Sequence, residues 1–114
     1  LTDCLFCKIV RGEIPSQIVF ENDQMIVFKD IQPVAPFHLL AIPKRHIDNI
    51  ADPNLVDGEL LTGLLQGIQQ VVTEMGLKEN GFRVVANYGR DAGEAVHHLH
   101  FHMIAGRSLA WPPG

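Results

Sequence analysis

His97-His98-Leu99-His100-Phe101-His102-Met103-Ile104 is the stretch on which the fold turns. Successive side chains of a strand point to opposite faces, so a strand over His98 to Ala105 puts His98, His100 and His102 on one face and Leu99, Phe101 and Met103 on the other. Imidazoles at alternate positions stand about 7 Å apart at the backbone, near enough to act on one bound group. A lone surface histidine is ordinarily solvated, but three in register point to a site. Two chemistries fit it: a metal centre with a position open to water, and a nucleophilic histidine. Spacing alone does not separate them.

Working outward, the apolar face of this strand needs a cover. One long helix supplies it, beginning at the N-cap Asp57 and closing at Gly76, with Leu60, Leu61, Leu64, Leu65, Ile68, Val71, Val72 and Met75 on one face. Gly63 and Gly67 lie at the margin of that face, each costing about 1 kcal/mol of helix stability relative to Ala, which close approach of another backbone would justify. Earlier in the chain, Cys4 to Arg11 reads as a short helix stopped by Gly12 and Ile14-Pro15. Ile18–Glu21 and Met25–Phe28 read as a hairpin turning at Asn22-Asp23, residues that tolerate positive φ. His38 to Pro43 is a third strand and Phe82 to Asn87 a fourth. Strands that do not alternate with helices give an antiparallel sheet with the helix on one face, an α+β fold.

The chain has 114 residues, one compact domain spanning 1–114. Hydrophobic residues at 46% suffice for a core, which excludes disorder as the main state. The net charge is −4 and the nine Lys and Arg are scattered rather than striped, so no nucleic-acid partner is expected. No apolar run is long enough to span a bilayer, and Leu1-Thr2-Asp3-Cys4 does not open a basic-then-apolar leader. With Cys4 and Cys7 at C-x-x-C spacing, better read as a metal or redox pair than as a disulfide framework, a cytoplasmic protein without membrane contact is expected.

The segment His98-Leu99-His100-Phe101-His102-Met103-Ile104 resembles the defining signature of the histidine triad (HIT) family. Asp30-Ile31, His38 to Ile47 and the ending Trp111-Pro112-Pro113-Gly114 resemble its Hint branch, the purine nucleoside phosphoramidases, so that the likeness covers essentially the whole chain. It implies the HIT fold: a five-stranded antiparallel sheet with one long and one short N-terminal helix, continuous across a homodimer. It implies a hydrolase that cleaves the P–N bond of purine nucleoside phosphoramidates, derivatives of AMP or GMP, through a nucleotidyl-histidine intermediate. His100 would be the nucleophile, His102 the residue that contacts phosphate and assists the leaving group, and His38 and His98 the rest of a relay.

The same resemblance places Phe6, Ile9, Phe28, Ile31 and Leu40 around base and ribose, Asp30 on the ribose hydroxyls, and Asn87 with Gly93-Glu94-Ala95-Val96 at the phosphate. The chain departs from the branch at Glu94 and Ala95, where an amide and then a hydroxyl are usual; a carboxylate there repels phosphate unless it turns outward or meets a cation. Cys4, Cys7, His46 and His98 resemble a structural Cys2His2 zinc set of some relatives, His97 being another ligand candidate; no organic cofactor is implied. The tail with Trp111 would approach the partner's site, and Gly63 and Gly67 suit a two-fold pairing. A dinucleoside polyphosphate hydrolase and a non-catalytic nucleotide-binding sensor or scaffold are the competing functions.

Overall fold

The computed structural model describes residues 4–55 and 57–114; the reading of Leu1-Thr2-Asp3 lies outside them. Helix α1 (Leu5–Val10) precedes strands β1 (Ile18–Glu21), β2 (Met25–Lys29) and β3 (Phe37–Pro43). Helix α2 (Gly58–Glu74), strand β4 (Phe82–Val85), a 3-10 turn at Arg90–Ala92 and strand β5 (Phe101–Ala105) follow. The strands form one antiparallel sheet in the order β1-β2-β3-β5-β4, the expected α+β architecture. None of the described helices is long and apolar enough to cross a membrane.

The two faces of the sheet are covered by different helices. On one, Met25, Val27, Leu39, Ala41, Leu99 and Met103 pack with Leu60, Leu64, Ile68, Val71 and Val72 of α2. Asp57 caps that helix, its side chain accepting from the N–H groups of Glu59 and Leu60. The buried stripe is narrower than the sequence predicts, because Leu65 is exposed and Leu61 and Met75 only half-buried. On the other face α1 contributes Phe6 and Ile9 to a cluster with Ile26, Phe28, Leu40 and Ile42.

Three expectations are corrected. The β1–β2 turn contains no residue with positive φ; the Asn22 carboxamide closes it instead, accepting from the N–H groups of Gln24 and Met25 at 2.8 and 2.9 Å. Gly67 is explained inside the chain, since a Cβ there would overlap the thioether of buried Met25, whereas one at Gly63 would meet only the end of the exposed Gln24 side chain, Oε1 at 2.6 Å. Finally, β5 starts at Phe101 rather than His98, and β4 ends at Val85 rather than Asn87. The register pairs Phe101 with Ala41, so Leu99 would fall opposite Pro43, which has no N–H to continue the ladder. The Leu99 N–H turns to the carbonyl of Ile47 at 2.6 Å.

Candidate active site and metal cluster

Although the ladder stops, the alternation persists. Leu99 and Met103 enter the α2 core, while His98 and His100 face Phe6, whose ring meets theirs edge-on at 5.9 and 5.2 Å between centroids. The His100 and His102 ring centroids stand 5.0 Å apart, and that of His102 is 5.1 Å from His38, its diagonal neighbour on β3. The three triad rings therefore share the α1 side of the sheet.

Their hydrogen bonds determine where each proton sits. His100 Nδ1 is 2.7 Å from the carbonyl oxygen of His98, which can only accept, so Nδ1 holds the proton and Nε2 holds the free electron pair. His38 Nδ1 accepts from the Val34 N–H at 3.1 Å, which leaves the proton on Nε2, 2.9 Å from His102 Nδ1. His102 accepts that bond and, when neutral, carries its own proton on Nε2. Burial, then the neighbouring His100 and His38, lowers the His102 pKa and keeps it neutral. Asp30 steadies this end: Oδ1 accepts from the Gln32 N–H at 2.8 Å and Oδ2 lies 3.4 Å from His38 Nε2. Asp30, His38 and His102 are near enough to hold a metal ion, but the lone pairs of His38 Nδ1 and His102 Nδ1 are already used.

A cleft of about 400 Å³ opens in front of these rings. Of the residues expected around base and ribose, Phe6, Ile9, Phe28, Asp30, Ile31 and Leu40 all line it, although the Ile31 side chain is otherwise exposed. Of those expected at the phosphate, Asn87, Gly93, Ala95, Val96, His100 and His102 line it. Glu94 does not: its side chain is only 4% exposed, bonded to the N–H of Gly89 and paired with His97. Trp111 does not line it either and is 80% exposed. Sequence reasoning missed Leu5, Ile14, Pro15, Ser16, Lys29 and Gln32 on the wall. Ile14-Pro15 had been read only as a helix stop, and no periodicity marks the extended turn that follows it.

Beyond His98 the chain builds a second constellation. Cys4 Sγ is 3.2 Å and Cys7 Sγ 3.5 Å from His98 Nδ1, and Cys7 Sγ is 3.2 Å from His46 Nδ1. Cys4, Cys7, His46 and His98 thus lie close enough to hold a metal ion. The outer nitrogens test the fit. His98 Nε2 donates to the Pro43 carbonyl at 2.9 Å and His46 Nε2 to Asp48 Oδ1 at 2.7 Å, so both Nδ1 lone pairs are free and aimed at the thiols. Burial brings the His98 pKa down to about 4, opposed in part by its bond to Pro43. Burial, with Cys4 beside it, pushes the Cys7 thiol up to about 11, a penalty on the thiolate that a divalent cation reverses. His97 is not in the set; its ring is 82% exposed. Asp48, two residues after His46, escaped sequence reasoning, though the His-x-Asp spacing signals it.

Comparison with known proteins agrees with this geometry. The family model for the scavenger mRNA decapping enzyme C-terminal binding region matches residues 3–110. An uncharacterised HIT-like protein of Synechococcus elongatus is 46% identical over 112 residues, covering 98% of this chain and 97% of that protein. The crystal structure of a HIT family hydrolase from Legionella pneumophila superposes with a TM-score of 0.93 at 47% identity, covering 98% of this chain and all of that one. A histidine triad protein from Clostridium difficile gives 0.91 at 42% identity, over 96% of each chain. With the triad rings on one side of the sheet and relatives aligned from end to end, the chain belongs to the HIT family.

Proposed function

We propose that this protein is a nucleotide-binding hydrolase that cleaves purine nucleoside phosphoramidates through a nucleotidyl-histidine intermediate. The supporting observation is the hydrogen bond at His100: a backbone carbonyl holds Nδ1–H, so that in the neutral ring Nε2 carries the nucleophilic lone pair, on a residue that lines the cleft. The base and ribose occupy the Phe6, Ile9, Phe28, Ile31 and Leu40 end, with Asp30 accepting from ribose hydroxyls. His100 Nε2 attacks the α-phosphorus; the P–Nε2 bond forms as the P–N bond breaks, and the nitrogen takes up a proton from solvent to depart as a neutral amine, a proton that the attacking water of the second step gives back. His102 Nε2–H hydrogen-bonds the phosphoryl group and the departing nitrogen, its orientation fixed by His38 behind it. Water then cleaves the P–Nε2 bond, releasing the 5′-monophosphate and restoring the imidazole.

The charge on the wall favours this substrate over a dinucleoside polyphosphate. Lys29 is the one Lys or Arg among the described residues lining the cleft, so one ionised phosphate suits it and a chain of them does not. His100→Ala is expected to lower kcat for adenosine phosphoramidate by at least about 10³-fold while AMP still binds. Retention of a tenth of the activity defeats the reading, and faster turnover of diadenosine tetraphosphate than of the phosphoramidate selects the competing hydrolase.

Zinc suits the Cys4, Cys7, His46 and His98 set: two thiolates and two imidazoles, with no position left for water. When bound it would be an organiser without a catalytic step, because His98 also supplies the carbonyl that holds His100. Elemental analysis is expected to find one zinc per chain. A homodimer through β4 is supported by the place of that strand at the sheet edge and by the exposure of Phe82 and Val84; light scattering at twice the chain mass is the test.

A further inference from the structure

The loop between β4 and the triad is held shut from behind. It leaves the strand past Asn87, turns at Gly89 (φ +88°), makes the 3-10 turn Arg90–Ala92, and reverses at Gly93 (φ +78°), conformations that glycine adopts without strain. Within it the Gly93 N–H bonds to the Arg90 carbonyl and the Glu94 N–H to the Gly89 carbonyl, both at 3.1 Å. Those two amides are thereby consumed. The amides of Ala95 and Val96, next along the cleft wall, bond to no backbone acceptor among the described residues.

Glu94 lies between cleft-lining Gly93 and Ala95, yet its carboxylate turns the other way. Its Oε1 accepts from the Gly89 N–H at 3.2 Å and lies 3.3 Å from His97 Nδ1. One buried oxygen therefore ties the start of the loop to its end and to the residue that precedes His98. A 4%-exposed carboxylate with two such partners is a fixed strut, because removing it would leave the half-buried Gly89 amide without its acceptor.

The structure assigns Glu94 as a positioning residue, which acts on substrate affinity by clamping the 87–96 loop so that its wall faces the phosphate. This rests on the reading of the cleft as a nucleotide site. The position where a phosphate-facing side chain was expected holds a scaffold instead, and recognition passes to Asn87 and to the following main chain. The carboxylate stays out of range of the phosphate and does not repel it.

Three variants test the assignment through AMP binding by calorimetry, turnover of adenosine phosphoramidate, and hydrogen exchange of the Gly89 amide. In Glu94→Ala the AMP Kd and the KM are expected to rise about tenfold, with kcat changed less than about threefold and Gly89 exchange accelerated. In Glu94→Gln the side-chain oxygen still accepts from Gly89, so affinity and slow exchange return to within about twofold of the parent. His97→Ala, at an exposed position that leaves the fold intact, removes one anchor and raises KM about threefold. Three outcomes overturn the clamp: unchanged binding in Glu94→Ala, tighter binding there (a carboxylate facing the phosphate), or a Glu94→Gln variant as weak as the alanine. Should the parent take up no AMP, the functional reading falls, while Gly89 exchange still decides the clamp: equal rates in the parent and Glu94→Ala refute it.

Discussion

Replacing Asp48 by alanine leaves all four candidate metal ligands in place and removes only the acceptor behind one of them. His46 donates Nε2–H to Asp48 Oδ1 at 2.7 Å, and that bond selects the tautomer whose Nδ1 lone pair is directed at Cys7 Sγ. Loss of such an outer partner costs 10- to 100-fold in metal affinity. The Asp48 side chain is 62% exposed, so water replaces part of the lost bond and the lower end applies, about tenfold or 1.4 kcal/mol. The same loss lowers the zinc-bound melting temperature by about 5 °C at fixed free zinc, given roughly 4 °C per kcal/mol in a chain of this size. Competition against a chromophoric chelator measures the affinity and a thermal scan with and without zinc measures the linkage. Asp48→Asn, whose side-chain oxygen still accepts the bond, is expected to lose less than about threefold. Zinc affinity in Asp48→Ala equal to that of the parent, or a drop in melting temperature as large in chelator as in zinc, refutes the reasoning.

The remaining predictions concern the sheet, the triad and the ribose contact. Gly67→Ala gains about 1 kcal/mol in helix preference but forces Met25 to repack at a cost of about 2 kcal/mol, so urea unfolding is expected to show a net loss near 1 kcal/mol. In a Met25→Val background the same change is expected to become neutral or stabilising; an unchanged cost in both backgrounds puts the crowding on another chain. His102 has a folded pKa below its ordinary 6.5, so the unfolded chain binds more protons between the two values and its contribution to stability is lost as pH falls through that window. Activity that depends on neutral His102 is accordingly expected to stay level from pH 8 to 6.5 and to fall only below; an acidic limb centred above 6.5 in kcat/KM contradicts the burial argument. Asp30→Asn keeps the bond to the Gln32 N–H but weakens acceptance from ribose, so KM for a ribonucleotide is expected to rise about fivefold and that for the 2′-deoxy analogue much less; equal effects on both refute the ribose contact.

Much of this was legible because it depends on alternation and spacing. The period of two in His98-Leu99-His100-Phe101-His102 sorts the triad from the core whether or not the ladder is formed, and Asp57 and Gly76 mark the long helix by local chemistry. The end of the ladder was not legible, since it depends on Leu99 falling opposite Pro43, a register set by strands far apart in sequence. Gly67 was misread for the same reason: a glycine announces crowding, and only the tertiary structure shows that Met25 causes it. Glu94 shows how position and direction differ. An outward-turned carboxylate is one of the two ways the sequence leaves it to avoid repelling phosphate, and the partner it turns to, the Gly89 amide, is visible only in the folded loop.

The sheet order sets a timetable for how this site comes into being. Strand β5 follows β4 in sequence yet lies between β3 and β4, and the bond between His38 and His102 joins residues 64 positions apart. Local pieces such as the β1–β2 hairpin and α2 can form while the chain is still being made, whereas pairing at such separation carries a large closure entropy and slows folding. Because β5 joins β3 to β4, a product truncated before Phe101 loses both His102 and the strand that holds β4 on the sheet, however well its first half folds.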